Sequence, residues 1–153
     1  FDSENTAEQR NFKRAAMVAQ RTEDYKSGFY KSGGGVVSPL PDDAPRFVKD
    51  YYAYYKTPRG YHKRSLNSNN VTSNLPFLNF KFFDYADELE SAVMIVHGDK
   101  AHSFYFGKDT YALLKGDNKE FVVVAGANHT DLYDGLSVIP FDKIESFFNE
   151  NLK

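Results

Sequence analysis

Two uninterrupted apolar runs constrain the fold of this chain more than any other feature. Ala92-Val93-Met94-Ile95-Val96-His97 ends at Gly98, and Phe121-Val122-Val123-Val124-Ala125 ends at Gly126. Neither run alternates apolar with polar residues, so each reads as a strand buried on both faces, the pattern of a parallel sheet. Between them, Ser103 to Lys115 suits a helix, with Tyr105, Tyr111, Leu113 and Leu114 as packing candidates. After them, Phe141 to Leu152 places Ile144, Phe147, Phe148 and Leu152 on one face of a final amphipathic helix. The order strand, helix, strand, helix implies parallel strands joined by a right-handed crossover, which makes the fold class α/β.

Two such strands do not form a sheet that stands alone. Each would keep an unpaired hydrophobic edge, and an edge of that kind pairs with whatever strand it meets. Both runs lie in the last third of 153 residues, and no other segment reads as a convincing strand. The earlier strands are therefore expected upstream of Phe1 or in a separate polypeptide. The opening Phe1-Asp2-Ser3-Glu4 has neither an initiator Met nor a leader pattern and reads as the middle of a longer chain.

The first ninety or so residues read as helices and loops. Thr6 to Ser27 suits a helix: Thr6 and Gln9 have capping-box spacing, and Gly28 is a stop. Its apolar face is thin, as in a peripheral or cap helix. Phe29 to Pro45 carries Gly33-Gly34-Gly35 and three prolines, which is loop composition. The glycine triplet lacks both a preceding strand and the Gly-Lys-Ser/Thr of a phosphate loop. Pro45 to Tyr55 reads as a short helix ended by Thr57-Pro58. Arg59 to Asn74, including Asn67-Ser68-Asn69-Asn70, shows no period, and the aromatic stretch Leu75 to Phe83 reads as buried irregular or short helical structure.

Composition narrows the function classes. A net charge of -2 gives no electrostatic reason to expect nucleic acid or an anionic membrane, and no run is long enough to span a bilayer. With no cysteine there is no disulfide, thiolate nucleophile or zinc-thiolate site. A cytoplasmic location is the expectation, and a homo-oligomer stays open.

The chemistry concentrates in Gly126-Ala127-Asn128-His129-Thr130. Gly126 breaks the second strand and leaves His129 at its carboxyl end, the edge where open α/β sheets bind ligands. An imidazole there can act as a general base; the alternative is a histidine that only satisfies a hydrogen bond. His97 and His102 flank Asp99 without a ligand spacing that selects a metal, and Asp131 with Asp134 would need further oxygens to hold calcium. Neither a metal nor a cofactor is expected. Tyr51, Tyr52, Tyr54 and Tyr55 either line a substrate pocket or pack a helix on the core, the second being favoured by their spacing. Arg59 and His62, in a loop, are candidates to bind a carboxylate.

Val96-His97-Gly98-Asp99-Lys100-Ala101-His102-Ser103, Gly126 to Asp134 and Thr57-Pro58-Arg59-Gly60-Tyr61-His62 together resemble the carboxyl-terminal portion of the α/β-hydrolase superfamily. The resemblance is nearest to bacterial dienelactone-hydrolase-like or peptidase-like serine hydrolases. It implies one domain portion, with residues 1–90 cap-like and residues 91–153 holding the last two strands and their helices. It implies an esterase-like enzyme acting on a small acyl substrate, with His129 as the base of a nucleophile-histidine-acid triad. No Gly-x-Ser-x-Gly elbow occurs: Ser32 follows no strand, and Ser103 lies in His-Ser-Phe. The nucleophile and oxyanion hole would then belong to the missing N-terminal half, and this chain alone would be inactive. Ala101 stands where many members place the acid, so Asp99 becomes the candidate acid, with a turn or helix-start residue as its alternative. Asp131 is a second candidate, better suited to fixing the loop; Asp84 and Asp87 are weaker. The competing function is a non-catalytic binding or scaffold domain of the same fold.

Overall fold

In a computed structural model, which describes residues 6–65, 68–81 and 83–152, helix α1 runs from Ala7 to Ser27. The predicted capping box forms: Gln9 N–H donates to Thr6 Oγ1 at 3.2 Å and Thr6 N–H donates to Gln9 Oε1 at 2.8 Å. Gly28 ends the helix at φ 72, a left-handed conformation that glycine adopts without steric cost. Asp24, buried in the last turn, accepts from Gln20 Nε2 at 2.8 Å and from the Lys31 amide at 3.1 Å, which folds the following chain back on the helix. The readings placed on Phe1 to Glu4, Asn67 and Phe82 lie outside the described residues.

The predicted loop of residues 29–45 contains strand β1, Ser32–Gly33, which pairs antiparallel with β2, Asn69–Asn70. Two residues are too short to carry a period, so neither strand is visible in the sequence. A 3-10 turn at Val71–Ser73 and helix α3, Asn74–Asn79, then pack on α1. Arg14 joins them through Asn79 Oδ1 at 2.9 Å and the Leu78 carbonyl at 2.7 Å. Of the aromatic stretch expected to be buried, Leu75 is buried, whereas Phe77 and Phe80 are exposed. Helix α2 spans Arg46–Tyr55, close to the predicted limits.

The C-terminal part carries the parallel pair. Strand β3 is Val93–Gly98 and β4 is Lys119–Val124, in register from Val93 opposite Lys119 to Gly98 opposite Val124. Helix α4, Phe104–Leu113, packs on both strands, and Gly107 lets it approach: a Cβ there would lie 3.0 Å from His97 and 3.2 Å from the Phe121 ring. Strand β4 starts two residues before its apolar run, at Lys119, whose side chain reaches back to the end of α4. Its ammonium meets the carbonyls of Tyr111 and Leu114, where the end of α4 favours a cation.

The strands are less buried than their composition predicts. Val122 and Gly98 are buried, Val93 to His97 are half-buried, and Val123 is 47% exposed. The described sheet has only these two parallel strands, so each lacks one neighbour whose side chains would cover it. Helix α5, Asp131–Asp134, is a single turn, too short to show a period in the sequence. Helix α6, Phe141–Asn151, buries Phe147 but leaves Phe148 and Leu152 of its apolar face exposed. No helix among the described residues is long and apolar enough to cross a membrane.

Candidate functional site

The loops leaving β3 and β4 are laced together. Asp99 N–H donates to the Val124 carbonyl at 3.2 Å, and Lys100 N–H donates to the Ala127 carbonyl at 3.0 Å. In return the Gly126 amide donates to Asp99 Oδ1 at 2.7 Å. The strand ends approach so closely at Gly98 that a Cβ there would lie 2.3 Å from the Ala127 carbonyl oxygen.

The next turn is fixed by reciprocal capping. Asn128 Oδ1 accepts from the Thr130 amide at 2.8 Å, the Thr130 hydroxyl at 2.9 Å and the Asp131 amide at 3.0 Å. Asp131 Oδ2 accepts from the Asn128 amide at 2.9 Å. Thr130 is 0% exposed. His129 thus sits between two capping residues and beside a fully buried one, so its backbone has little freedom.

Arg59 clamps the same turn from outside. Its Nε and Nη2 donate to the two carboxylate oxygens of Asp134 at 2.8 and 2.6 Å, and Nη2 also donates to the Thr130 carbonyl at 3.0 Å. The guanidinium lies 5.3 Å from the centre of the Tyr54 ring. The carboxylate that Arg59 binds is therefore one of this chain's own. That bond first, and then the positive charge, hold the Asp134 carboxyl below its ordinary 3.8. The clamp contributes stability above about that pH and loses it as pH falls through the lowered pKa. Arg59→Lys, unable to make the two-pronged bond, is expected to lower the melting temperature by about 2 °C. Asp134→Asn added to Arg59→Ala should cost nothing further. Additive losses in the double variant would show that the two do not act as one clamp.

Helix α2 turns its tyrosines toward this turn. Tyr51 lies 5.5 Å from the His129 ring, and Tyr133 lies 5.3 Å from it. Tyr54 and Tyr55 pack edge-on against Tyr133 at 5.0 and 6.2 Å. Burial, and then a hydrogen bond to Tyr55, push the Tyr133 phenol well above its usual value. The tyrosine cluster thus packs the helix, as its spacing favours, on the turn that carries His129.

The His129 imidazole is pressed below its ordinary 6.5, first by burial and then by the charges of His102 and His97. Its Nδ1 lies 3.3 Å from Ser103 Oγ. Phe47, Asp50, Tyr51, Ala101, His102 and Thr130 enclose with it a crevice of about 10 Å³, at most the room of one water.

The other residues singled out in the sequence are placed as follows. Among the described residues no hydrogen bond or ion pair joins Asp99 to His129; Asp99 holds Gly126 and lies 3.5 Å from Lys100 Nζ. Asp131 fixes the turn. Asp84 and Asp87 pair with Lys81 and Lys115 at 3.3 and 2.8 Å. His97 packs edge-on against Phe104 at 5.7 Å, and His102 stacks on Phe47 at 4.7 Å. His62 Nδ1 accepts from the Arg64 amide at 3.1 Å and serves its own turn. No group of three or more metal-ligating side chains gathers among the described residues. Sequence reasoning missed Ser103 as the partner of His129, and the pairing of Arg59 with Asp134. The Asn128-to-Asp131 spacing was a readable signal for the capped turn.

No protein-family model matches the chain. It is 38% identical over 156 residues to the uncharacterized protein PA2218 of Pseudomonas aeruginosa, an alignment covering 99% of this chain and 42% of that protein. It is 29% identical over 140 residues to the uncharacterized protein YcjY of Escherichia coli, covering 86% and 44%. The chain spans less than half the length of these curated relatives. It superposes on the crystal structure of PA2218 with a TM-score of 0.86, covering 96% of this chain and 46% of that one. It superposes on DcsB, solved in complex with its substrate analogue, with a TM-score of 0.69 at 14% identity, covering 96% and 52%. This second likeness concerns fold alone. The chain is thus a mixed α/β polypeptide similar in sequence and structure to part of PA2218.

Proposed function

We propose that this chain is the C-terminal portion of an α/β-hydrolase domain and that it supplies the base of an acyl-transfer site. The observation that carries the reading is His129, held by a doubly capped turn at the exit of a parallel strand. A crevice of about 10 Å³ holds no acyl substrate, so the rest of the site belongs to the remainder of the longer protein. The half-covered strands and the length of the relatives support the same division.

In this reading a hydroxyl or thiol nucleophile outside this chain gives its proton to His129 as it attacks the carbonyl carbon of an ester, thioester or related acyl compound. His129 returns that proton to the leaving group, and a covalent acyl-enzyme remains. A water then gives a proton to the same imidazole as it attacks the acyl carbon, the bond to the nucleophile breaks, and the imidazole returns the proton to the nucleophile as the acid leaves. Asp99 contributes by holding the Gly126 amide, and with it the loop that carries His129. The reading calls for no cofactor.

The test is active-site labelling of the full-length protein with a fluorophosphonate probe, beside turnover of p-nitrophenyl esters. Stoichiometric labelling and measurable turnover are expected. A correctly folded protein that neither labels nor turns over would favour the non-catalytic binding or scaffold domain, with Ala101 in place of the usual acid as its first support.

A further inference from the structure

We infer that the Ser103 hydroxyl is the positioning group for His129, standing where a triad would otherwise place a carboxylate. The inference rests on the reading of His129 as a general base. To take a proton at Nε2, the neutral imidazole must carry its own hydrogen on Nδ1, and something must accept that hydrogen. Ser103 Oγ lies 3.3 Å from Nδ1 and can accept it.

Two further observations single out this hydroxyl. The first is an accounting of carboxylates around the turn. Asp99 is held by the Gly126 amide, Asp131 by the Asn128 amide, Asp134 by Arg59, and Asp50 by Arg46 at 2.8 Å. Ala101, at the position expected for the acid, is buried and brings no oxygen. The second observation is what Ser103 does not do. It precedes the first residue of α4, where a serine ordinarily accepts a backbone N–H of the first turn, yet its side chain makes no capping bond. The hydroxyl is turned to the imidazole instead.

A neutral acceptor orients the ring and selects its tautomer without stabilising the charged form as a carboxylate would. Ser103→Ala in the full-length protein should therefore let the two His129 tautomers exchange. Nitrogen-15 shifts of labelled histidine report this, with His129→Gln assigning the signals. The same variant should lower kcat about tenfold at nearly constant KM, since one modest hydrogen bond is at stake. Ser103→Thr keeps a hydroxyl and should restore both the tautomer and kcat. Ser103→Asp should move the acid limb of kcat to higher pH, because a carboxylate raises the imidazole pKa.

A wild-type His129 protonated on Nε2 would overturn the inference. So would Ser103→Ala with an unchanged tautomer, whatever its activity. The nitrogen-15 arm needs no turnover. If the protein is inert yet the tautomer still answers to Ser103, the positioning contact stands and the catalytic reading of His129 falls.

Discussion

His129→Ala in the full-length protein is expected to lower kcat/KM toward p-nitrophenyl esters by about 10⁴-fold, the scale on which a triad histidine acts. Fold is expected to survive the change. The turn around His129 is held by Asn128, Asp131 and Arg59, not by the imidazole. The pH profile gives the same residue a second signature. A base works only when unprotonated, so activity is present above its pKa and lost as pH falls through it. Burial and the charges of His102 and His97 place that pKa below 6.5, so the acid limb should lie below that pH. His102→Gln removes one of those charges and should move the limb upward. A wild-type limb at or above 6.5 would mean that a carboxylate reaches the imidazole. Equal activity in His129→Ala and wild type would remove the residue from the chemistry altogether.

Much of this arrangement was legible wherever one local pattern determines one local structure. Thr6 and Gln9 specify a capping box that needs nothing from the rest of the chain, and α1 starts where they place it. The two apolar runs specify strands, and Gly126 after the second delivers His129 to the strand exit. Contacts that depend on residues far apart in sequence left no trace. Nothing in Thr57-Pro58-Arg59 announces Asp134, and nothing in His102-Ser103-Phe104 announces His129. The second pairing arises only after β3 and β4 align in parallel and bring their exits side by side, and the first only after the chain leaving α2 packs on the turn beyond β4. The mismatch over burial has a different origin. Composition reports the burial a segment is built for, whereas the described sheet supplies each strand with one neighbour.

Gly98→Ala should be the most damaging single-methyl change in the site region. Glycine is required at Gly98 for space, not for backbone conformation. An added Cβ would stand 2.3 Å from the Ala127 carbonyl oxygen and 2.8 Å from its carbon, both backbone atoms that cannot rotate aside. That carbonyl already accepts from the Lys100 amide at 3.0 Å. Relief therefore requires the two strand exits to separate, which breaks this bond and strains the one from Gly126 to Asp99. A loss of roughly 3 kcal/mol or more is expected, in the range of overpacked and strained sites. Gly126→Ala is the control. Gly126 has φ 79 with nothing within 4 Å of an added Cβ, so its cost is the left-handed backbone alone, roughly 1–2 kcal/mol. Chemical denaturation of the full-length variants separates the two. Equal midpoints would show that the strand exits are not in close contact. A larger drop for Gly98→Ala, with loss of esterase activity below the unfolding midpoint, would show that the contact between the exits sets the position of His129.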